Sequence, residues 1–234
     1  MALLTLAVAE NLPEPSRNRI VRLALGGEPL SYRAGQHVLL GDHGQSDRRP
    51  YSIAIAPAHA RRTGLLEFLI QTVDDDSPGP HLPSLLPGRL IDVEGPAGDF
   101  VLPDDAGAAR SFLFVGGGTG IAPLRAMIWE VLETRPDARV SLVQTARAPE
   151  ELAFAGEFRA AARASRLRLT ETVTRPGGDQ WRGPRGRIDR AQLAPLVSPD
   201  TLCFVCGPDS LVEEVPRLLV SLGVAGVRTE RWTG

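Results

Sequence analysis

The sequence contains no lysine, so all 26 of its basic residues are arginines, set against 28 acidic residues and a formal net charge of −2. Without an excess of positive charge the chain is not expected to bind nucleic acid, since such binding depends on neutralising many phosphates. The planar guanidinium of arginine still suits a single phosphate group. A chain-wide lack of lysine is typical of genome composition and not of one function.

Cysteine is scarce as well, because only Cys203 and Cys206 occur, in the stretch CFVC. This apolar run is predicted to be a buried strand, in which side chains three residues apart point to opposite faces. No second cysteine pair could complete a four-ligand metal or iron–sulfur site. We therefore expect no metal and no disulfide. So few cysteines are typical of a reducing compartment, here the cytoplasm.

Long hydrophobic runs are missing too. No stretch of the sequence approaches the roughly 18 apolar residues of a membrane-spanning helix. The N-terminal stretch MALLTLAVAENLPEP lacks the basic start and the long apolar core of a secretory signal. We expect a first strand there, and no membrane span in the chain.

The first 102 residues contain short strand-like runs separated by Gly, Pro and Asp turns. These runs are LLTLAVA, RIVRLAL, QHVLLG, YSIAIA, LLEFLIQTV and RLIDVEGP. In this half, only the stretch HLPSLLPG, at 81–88, has the pattern of a short helix. Several short strands between turns predict a β-barrel or a β-sandwich.

From Ser111 onwards, strand-like and helix-like stretches alternate, which predicts βαβ units and a parallel sheet. The predicted helices span 122–135, 149–164, 189–197 and 209–223. Pro216 predicts a kink in the last helix. We expect two domains, 1–104 and 108–234, joined through PDDAGAAR at 103–110.

The stretch VGGGTGIAP, at 115–123, places glycines between a predicted strand and a predicted helix. Such glycines let the backbone approach a ligand, and the free amides of the helix N-terminus favour phosphate. The spacing is not G-x-G-x-x-G, because the sixth position counted from Gly118 is Pro123. A tight strand–helix turn rarely needs so many glycines, so we interpret the stretch as a nucleotide-binding loop.

Open α/β sheets bind ligands at the carboxyl ends of their strands, where this sequence places small residues and arginines but no acidic residue. Arg147 and Arg175 follow the second and third predicted strands, and Arg187 in GPRGRI could join them. Arginine at this edge suits the 2′-phosphate of NADP, whereas a carboxylate suits the ribose of NAD. Each arginine alone is typical of a solvated surface; the set indicates NADP.

The stretch RRPYSIAIAP, at 48–57, begins a predicted strand with an unusual group of side chains. A dinucleotide domain needs a second reactant near its nicotinamide, and the preceding β-rich half could hold it. Arg49 could bind a phosphate, Tyr51 offers a flat face to a ring system, and Ser52 offers a hydroxyl to a ring nitrogen. Taken alone, the stretch is better explained by an edge strand with a solvated arginine, a cross-strand tyrosine and an edge serine.

Three motifs in this order resemble the ferredoxin–NADP reductase superfamily: RPYS in a β-rich half, GGGTGIAP after a linker, and CGP near the end. AGQHV, at 34–38, and VEGPAGDF, at 93–100, extend the resemblance over nearly the whole chain. It implies an N-terminal antiparallel β-barrel that holds FAD, followed by a Rossmann-like parallel-sheet domain that binds NADPH or NADH. The chain is most similar to compact flavin reductases and to ferredoxin reductase-like proteins without an iron–sulfur domain.

The resemblance also implies roles for single residues. Arg49 would bind the flavin phosphate, Tyr51 would pack on the flavin, and Ser52 would hydrogen-bond near flavin N5. Cys206 would lie by the nicotinamide C4, and the family often ends in a glutamate and an aromatic residue near the flavin, here Glu230 and Trp232. The catalytic residues so implied are Ser52, Cys206 and Glu230. The other cofactor-binding residues are Arg49, Pro50, Tyr51, Gly79, Leu82, Gly117, Gly118, Thr119, Gly120, Arg147, Arg175, Arg187, Gly207, Pro208 and Trp232.

Two of these residues have simpler explanations, and one segment departs from the family. Cys206 is equally typical of a small buried strand residue, and Trp232 could cap the chain end by packing. The family commonly has a Gly/Ser loop around the flavin pyrophosphate, where this chain has DDDSPGPHLPSLLPG at 74–88. Its three aspartates would repel a pyrophosphate that they faced, although Ser77, Gly79 and the predicted helix start at 81–82 could donate amides. We expect FAD, with FMN or a loosely held flavin as alternatives.

The resemblance implies an NAD(P)H-dependent flavoprotein oxidoreductase that passes a hydride from NAD(P)H to bound FAD and then electrons to a separate acceptor. That acceptor could be a ferredoxin, a flavodoxin, an oxygenase component, a haem protein or a small molecule. Any iron–sulfur relay must lie on another chain. The alternatives are a free-flavin reductase, an electron-transfer subunit that works only inside a complex, and a nucleotide-binding module that has lost its flavin.

Overall fold

A computed structural model of the chain describes residues 2–14, 18–73, 77–104, 109–177 and 180–231. The chain divides into two compact units. The first unit comprises Met1–Leu102 with Arg125–Glu130, and the second comprises Pro103–Leu124 with Val131–Gly234.

The first unit is built on one six-stranded antiparallel sheet. Its strands are β1 (Ala2–Glu14), β2 (Asn18–Ala24), β3 (His37–Asp42), β4 (Arg49–Ser52), β5 (Leu65–Gln71) and β6 (Leu90–Ala97). They lie in the order β4-β3-β6-β1-β2-β5, and Ile53 bridges to Phe68, so the two edges approach each other. Apolar side chains of all six strands form one buried cluster. The predicted antiparallel β-barrel is confirmed.

The one helix predicted in this half is wrong in its position. Residues 81–88 form turns and no helix, because Pro83 and Pro87 lack the N–H groups that a helix needs. The helix α1 instead spans Pro57–Thr63, with Pro57 in its first turn. Gly64 ends it in a left-handed conformation, with φ of 70°, and donates its N–H to the Ala60 carbonyl.

A buried carboxylate on β6 holds the turn between β3 and β4. Asp92 is 4% exposed and accepts hydrogen bonds from Thr5 Oγ1 at 2.8 Å and from the Gly44 N–H at 3.1 Å. His43 Nδ1 lies 2.9 Å from the same carboxylate, and Arg48 donates to it at 3.3 Å. One side chain therefore fixes the turn that leads directly into Arg49.

The second unit is an α/β domain with a five-stranded parallel sheet. Its elements are β7 (Ser111–Gly117), α2 (Ile121–Thr134), β8 (Arg139–Ala146), α3 (Ala155–Arg163), β9 (Arg168–Val173), α4 (Arg190–Leu193), β10 (Leu202–Gly207), α5 (Asp209–Ser221) and β11 (Gly226–Arg231). The strand order is β11-β10-β7-β8-β9, and every pair is parallel. The predicted Rossmann-like, parallel-sheet domain is confirmed.

Two helices of this unit differ in detail from expectation. The stretch 149–164 is not one helix: Pro149–Glu151 forms a 3₁₀ turn, and α3 begins only at Ala155. Phe154 separates the two with φ of 57°, a left-handed conformation that interrupts a helix, and its ring is buried. The helix α5 runs continuously through Pro216. In the described part of the chain, no helix combines the length and the apolar character needed to span a bilayer.

The Asp92 network predicts a pH dependence of stability. Burial alone would raise the pKa of Asp92, but the hydrogen bonds from His43, Thr5, Gly44 and Arg48 lower it to about 2, from the usual 3.8. A carboxyl with a lowered pKa stabilises the fold above its usual pKa, and this contribution is lost as the pH falls through about 2. At neutral pH we expect Asp92→Asn to lower the free energy of unfolding by about 2 kcal/mol.

Urea unfolding followed at several pH values between 2 and 7 checks this prediction. The difference between the wild type and Asp92→Asn should shrink toward pH 2, whereas Asp99→Asn, at an exposed position of the same unit, should match the wild type throughout. A constant difference between Asp92→Asn and the wild type at every pH would contradict the assigned role.

Candidate functional site

The strand β4 consists of the four predicted residues RPYS and pairs along its length with β3. Tyr51 lies opposite Val38, and both side chains belong to the buried cluster of the first unit. Because side chains alternate along a strand, Arg49 lies on the same face as Tyr51, at the exposed start of the strand. Pro50 and Ser52 lie on the other face. An exposed cation and a buried aromatic ring therefore lie two residues apart on one face of the strand.

Tyr51 is held from one side by a histidine. Its hydroxyl lies 2.7 Å from Nε2 of His81, and the two rings stack with centroids 5.9 Å apart and planes 18° apart. Burial raises the pKa of Tyr51 to about 12, although the charge of Arg49 acts in the opposite direction. The sequence pointed to His81 only as a backbone donor, and its side-chain contact with Tyr51 was missed.

Ser52 provides a test of whether this strand fits a polar ligand. Its side chain is 5% exposed, and its Oγ has no hydrogen-bond partner among the described residues. A buried polar atom without a partner costs roughly 1–3 kcal/mol, so a ligand that supplies the partner is favoured at this position. No carboxylate of the described residues forms an ion pair with Arg49, which leaves its guanidinium available to an anion. The residues fit a flavin nucleotide.

The segment 77–82 forms hydrogen bonds within itself, and these occupy backbone amides that a flavin pyrophosphate would otherwise bind. Ser77 Oγ accepts the Gly79 N–H at 3.0 Å and donates to the Leu82 carbonyl at 3.0 Å. The Leu82 N–H donates to the Gly79 carbonyl at 3.0 Å. The amides of Gly79 and Leu82, both expected to face a flavin pyrophosphate, therefore already have acceptors. The three aspartates of this segment, 74–76, lie outside the described residues.

In the second unit, the glycine loop (residues 116–120) joins β7 to α2. Gly118 has φ of +58°, is exposed and has open space where a Cβ would be. Gly120 is the opposite case, because a Cβ there would lie 2.5 Å from the carbonyl oxygen of Cys206. Thr119 lies half-buried between them. The loop therefore presses against the end of β10 on one side and is open on the other.

The end of β10 meets the same loop through a second glycine. Gly207 has φ of +156°, and a Cβ there would lie 3.2 Å from the nitrogen and 3.1 Å from the oxygen of Gly117. Pro208 follows, exposed, at the start of α5. The structure thus brings together two sets of predicted residues, the glycine loop and CGP. Cys206 pairs directly with Gly116, which lies 90 positions earlier in the chain.

Cys206 and Glu230 also lie together. They are paired residues of β10 and β11, and Sγ lies 3.9 Å from Glu230 Oε2. Burial and then the charge and hydrogen bond of Glu230 raise the pKa of Cys206 well above its usual value, so the thiol keeps its proton. Both cysteines are free, and Cys203 faces the helix layer around α5. Among the described residues, no group of three or more His, Cys, Asp or Glu could hold a metal; Trp232 lies outside them.

Two of the three predicted arginines are neighbours. The Arg175 N–H donates to the Arg147 carbonyl at 2.7 Å, and both side chains are exposed, without an ion pair among the described residues. Arg187 instead forms an ion pair with Glu214 of α5. Glu151 Oε2 accepts the Arg147 N–H at 3.3 Å, so a carboxylate also lies at this edge. The sequence did not predict Glu151 at this edge, because Glu151 follows β8 by five residues and only a 3₁₀ turn brings the chain back.

Two known domain families match the chain, one in each half. Residues 5–102 match the family described as oxidoreductase FAD-binding domain, and residues 114–217 match oxidoreductase NAD-binding domain. These matches confirm the expected FAD and nicotinamide nucleotide, and the prediction of an oxidoreductase.

Similar proteins cover most of the chain. A ferredoxin–NADP reductase B of Sorangium cellulosum is 32% identical over 219 residues, which are 88% of this chain and 87% of that protein. The reductase subunit of an Amycolatopsis aromatic O-demethylase is 35% identical over 144 residues, 58% of this chain and 41% of that protein.

Solved structures show the same fold. An Amycolatopsis cytochrome P450 reductase superposes with a TM-score of 0.84 at 27% identity, over 99% of this chain and 71% of its own. The FAD/NAD-binding domain of a Vibrio cholerae nitric oxide dioxygenase shares the fold with a TM-score of 0.79 at 22% identity, over 97% of this chain and 98% of its own. With its barrel, its parallel-sheet domain and both cofactor-binding matches, the chain belongs to the ferredoxin–NADP reductase superfamily and is an NAD(P)H-dependent flavoprotein oxidoreductase.

Proposed function

We propose that the first domain, 1–104, binds FAD along β4, that the second domain, 108–234, binds NADPH, and that the electrons pass to a separate redox protein. The observation that carries the flavin placement is the buried Ser52 Oγ without a partner, next to Tyr51 and Arg49 on one strand. The acceptor is a ferredoxin-like protein or an oxygenase component. Support for such an acceptor comes from relatives named as a ferredoxin–NADP reductase and as the reductase subunit of an O-demethylase.

The first domain contributes binding and orientation. The exposed guanidinium of Arg49 binds a phosphate through charge-assisted hydrogen bonds, the Tyr51 ring offers a stacking face, and Ser52 Oγ hydrogen-bonds a polar ring atom. FAD, when bound, accepts the hydride of NAD(P)H and releases the electrons singly or as a pair. The protein's part is to place these groups and keep water out.

The second domain contributes a backbone cradle and a neutral thiol. The amides of the glycine loop at the start of α2 face the nucleotide phosphates, and Gly207 with Pro208 borders the same edge. Cys206 offers a small protonated side chain beside the nicotinamide, since burial and Glu230 raise the pKa of its thiol. Glu230 accepts the thiol's hydrogen bond and so holds Cys206 in one orientation.

The charge at the carboxyl edge favours NADPH. Arg147 and Arg175 follow adjacent strands and are joined by a backbone hydrogen bond, so two exposed arginines begin from neighbouring backbone positions. The carboxylate of Glu151 accepts the Arg147 N–H at the same edge and opposes them in part. Two arginines at the ends of adjacent strands favour a 2′-phosphate.

A second candidate function is a free-flavin reductase, in which flavin enters and leaves as a substrate. The internal hydrogen bonds of segment 77–82 favour it, because they leave the amides of Gly79 and Leu82 without capacity for a pyrophosphate. A flavin held through fewer donors dissociates more readily.

The visible spectrum of the purified protein tests the proposed function. We expect a yellow protein whose flavin bands bleach on anaerobic addition of NADPH, and more slowly with NADH. A colourless protein that shows saturation kinetics in added FAD or FMN would instead establish the free-flavin reductase. A protein that neither binds nor turns over added flavin would contradict both.

Replacing both edge arginines tests the nucleotide preference. The double variant Arg147→Ala/Arg175→Ala should raise KM for NADPH by roughly tenfold or more, because two charge-assisted hydrogen bonds are lost, and should change KM for NADH little. Arg217→Ala, at an exposed position of α5, is the control for loss of surface charge. Equal increases for both nucleotides would rule out the assignment of the 2′-phosphate to this pair.

The role of Ser52 is tested by Ser52→Ala. Removing one hydrogen bond to the flavin ring should slow flavin reduction by roughly threefold to tenfold and leave the Kd for NADP⁺ unchanged. Stopped-flow absorbance under anaerobic conditions measures the reduction rate, and Ser84→Ala in the same unit is the control. A wild-type reduction rate in Ser52→Ala would remove the residue from the mechanism.

A further inference from the structure

His81 lies deep in the first unit, with 1% of its surface exposed, in the segment where this sequence departs from its family. Its carbonyl accepts the Asp42 N–H at the end of β3, at 2.7 Å. Its ring is tied to Tyr51 in two ways, by the 2.7 Å contact between Nε2 and the hydroxyl and by stacking of the two rings. The backbone contact holds the main chain of His81, and the ring contacts join its side chain to that of Tyr51.

Both partners of this pair are neutral at pH 7. Burial and then the charge of Arg49 lower the pKa of His81, while Asp47 acts in the opposite direction. Burial raises the pKa of Tyr51 to about 12, so its hydroxyl keeps the proton. A neutral imidazole and a neutral phenol can share a hydrogen bond in either tautomer.

The hydrogen bonds of the His81 ring indicate that its role is to contact Tyr51. His81 Nδ1 is buried and has no partner among the described residues. A histidine that served packing alone would be expected to satisfy both nitrogens, as buried polar atoms usually do. In His81, only Nε2, which faces the Tyr51 hydroxyl, forms a hydrogen bond to a described residue.

We propose that His81 is a positioning residue of the flavin site, which fixes the plane of the Tyr51 ring so that the flavin ring system can pack against it. The inference rests on the proposed placement of FAD against Arg49, Tyr51 and Ser52. A phenol ring that could turn would have to be ordered on binding, at a cost in affinity; a ring already fixed avoids that cost.

Titration of the flavin-free protein with FAD, followed by flavin fluorescence, tests the proposal. His81→Leu removes the hydrogen bond but keeps bulk, and Tyr51→Phe removes the hydroxyl but keeps the ring. Each should raise the Kd for FAD by roughly threefold to tenfold and weaken the quenching of bound flavin. The double variant should be no weaker than either single variant, because both remove the same contact.

Two further variants separate positioning from simple stability. His81→Gln places an amide within reach of the Tyr51 hydroxyl and should restore most of the affinity and the quenching. His59→Leu, on α1, makes the same change at a histidine away from Tyr51 and should leave both unchanged. Thermal unfolding of each flavin-free variant shows whether the barrel is intact.

The outcomes distinguish this inference from the flavin placement itself. If Tyr51→Ala and Arg49→Ala weaken FAD binding while a folded His81→Leu keeps wild-type Kd and quenching, the inference about His81 is overturned and the placement stands. If Tyr51→Ala and Arg49→Ala leave the Kd unchanged, the placement is wrong, and the inference falls with it. If His81→Leu does not fold, a wild-type Kd in Tyr51→Phe overturns the inference.

Discussion

Gly120 has no room for a side chain, because a Cβ there would lie 2.5 Å from the carbonyl oxygen of Cys206 and 2.7 Å from the nitrogen of Gly207. This contact follows from topology. β10 lies beside β7 in the parallel sheet, so both strands end at the same edge and the turns that follow them must pass each other. Glycine in both turns, at Gly120 and at Gly207, allows the two backbones to approach each other this closely. The amides at the start of α2 therefore lie at that edge of the sheet. The proposed nucleotide site therefore depends on the placement of these backbone amides.

The proposed flavin site differs from it, because side chains of a short strand would form that site. β4 has only four residues, and its position is fixed by pairing with β3 and by the turn that Asp92 holds. Arg49, Tyr51 and Ser52 each offer a different chemistry: a cation, a flat ring and a hydroxyl. A substitution here removes one interaction, whereas a side chain at Gly120 would displace the whole glycine loop.

Most of the fold could be predicted from the sequence, because hydrophobic periodicity differs between the two halves and the turns are marked by glycine and proline. The failures share a cause, which is that local patterns are weak in short or interrupted segments. α1 has seven residues, too few to show a helical period. The stretch 149–164 has a helical pattern throughout, and nothing in it predicts that Phe154 adopts a left-handed conformation and interrupts the helix.

The candidate site could be predicted wherever a motif is contiguous, as in RPYS, the glycine loop and CGP. It could not be predicted where the contact joins distant residues: His81 meets Tyr51 from 30 positions away along the chain. Glu151 reaches the Arg147 amide only because a 3₁₀ turn brings the chain back. Such contacts depend on tertiary packing, which a single sequence does not reveal.

The carboxylate of Asp92 has a consequence for recognition as well as for folding. The Asp92 carboxylate orders the turn before β4 through hydrogen bonds. The side chain of Arg49 is therefore attached to a backbone that is already ordered in the folded chain. In the proposed flavin site, the conformational entropy of that turn is lost once, when the barrel folds, and not again when a phosphate binds Arg49. An ordered turn also limits the positions that the Arg49 guanidinium can reach, so the proposed site would select anions by their position as well as by their charge.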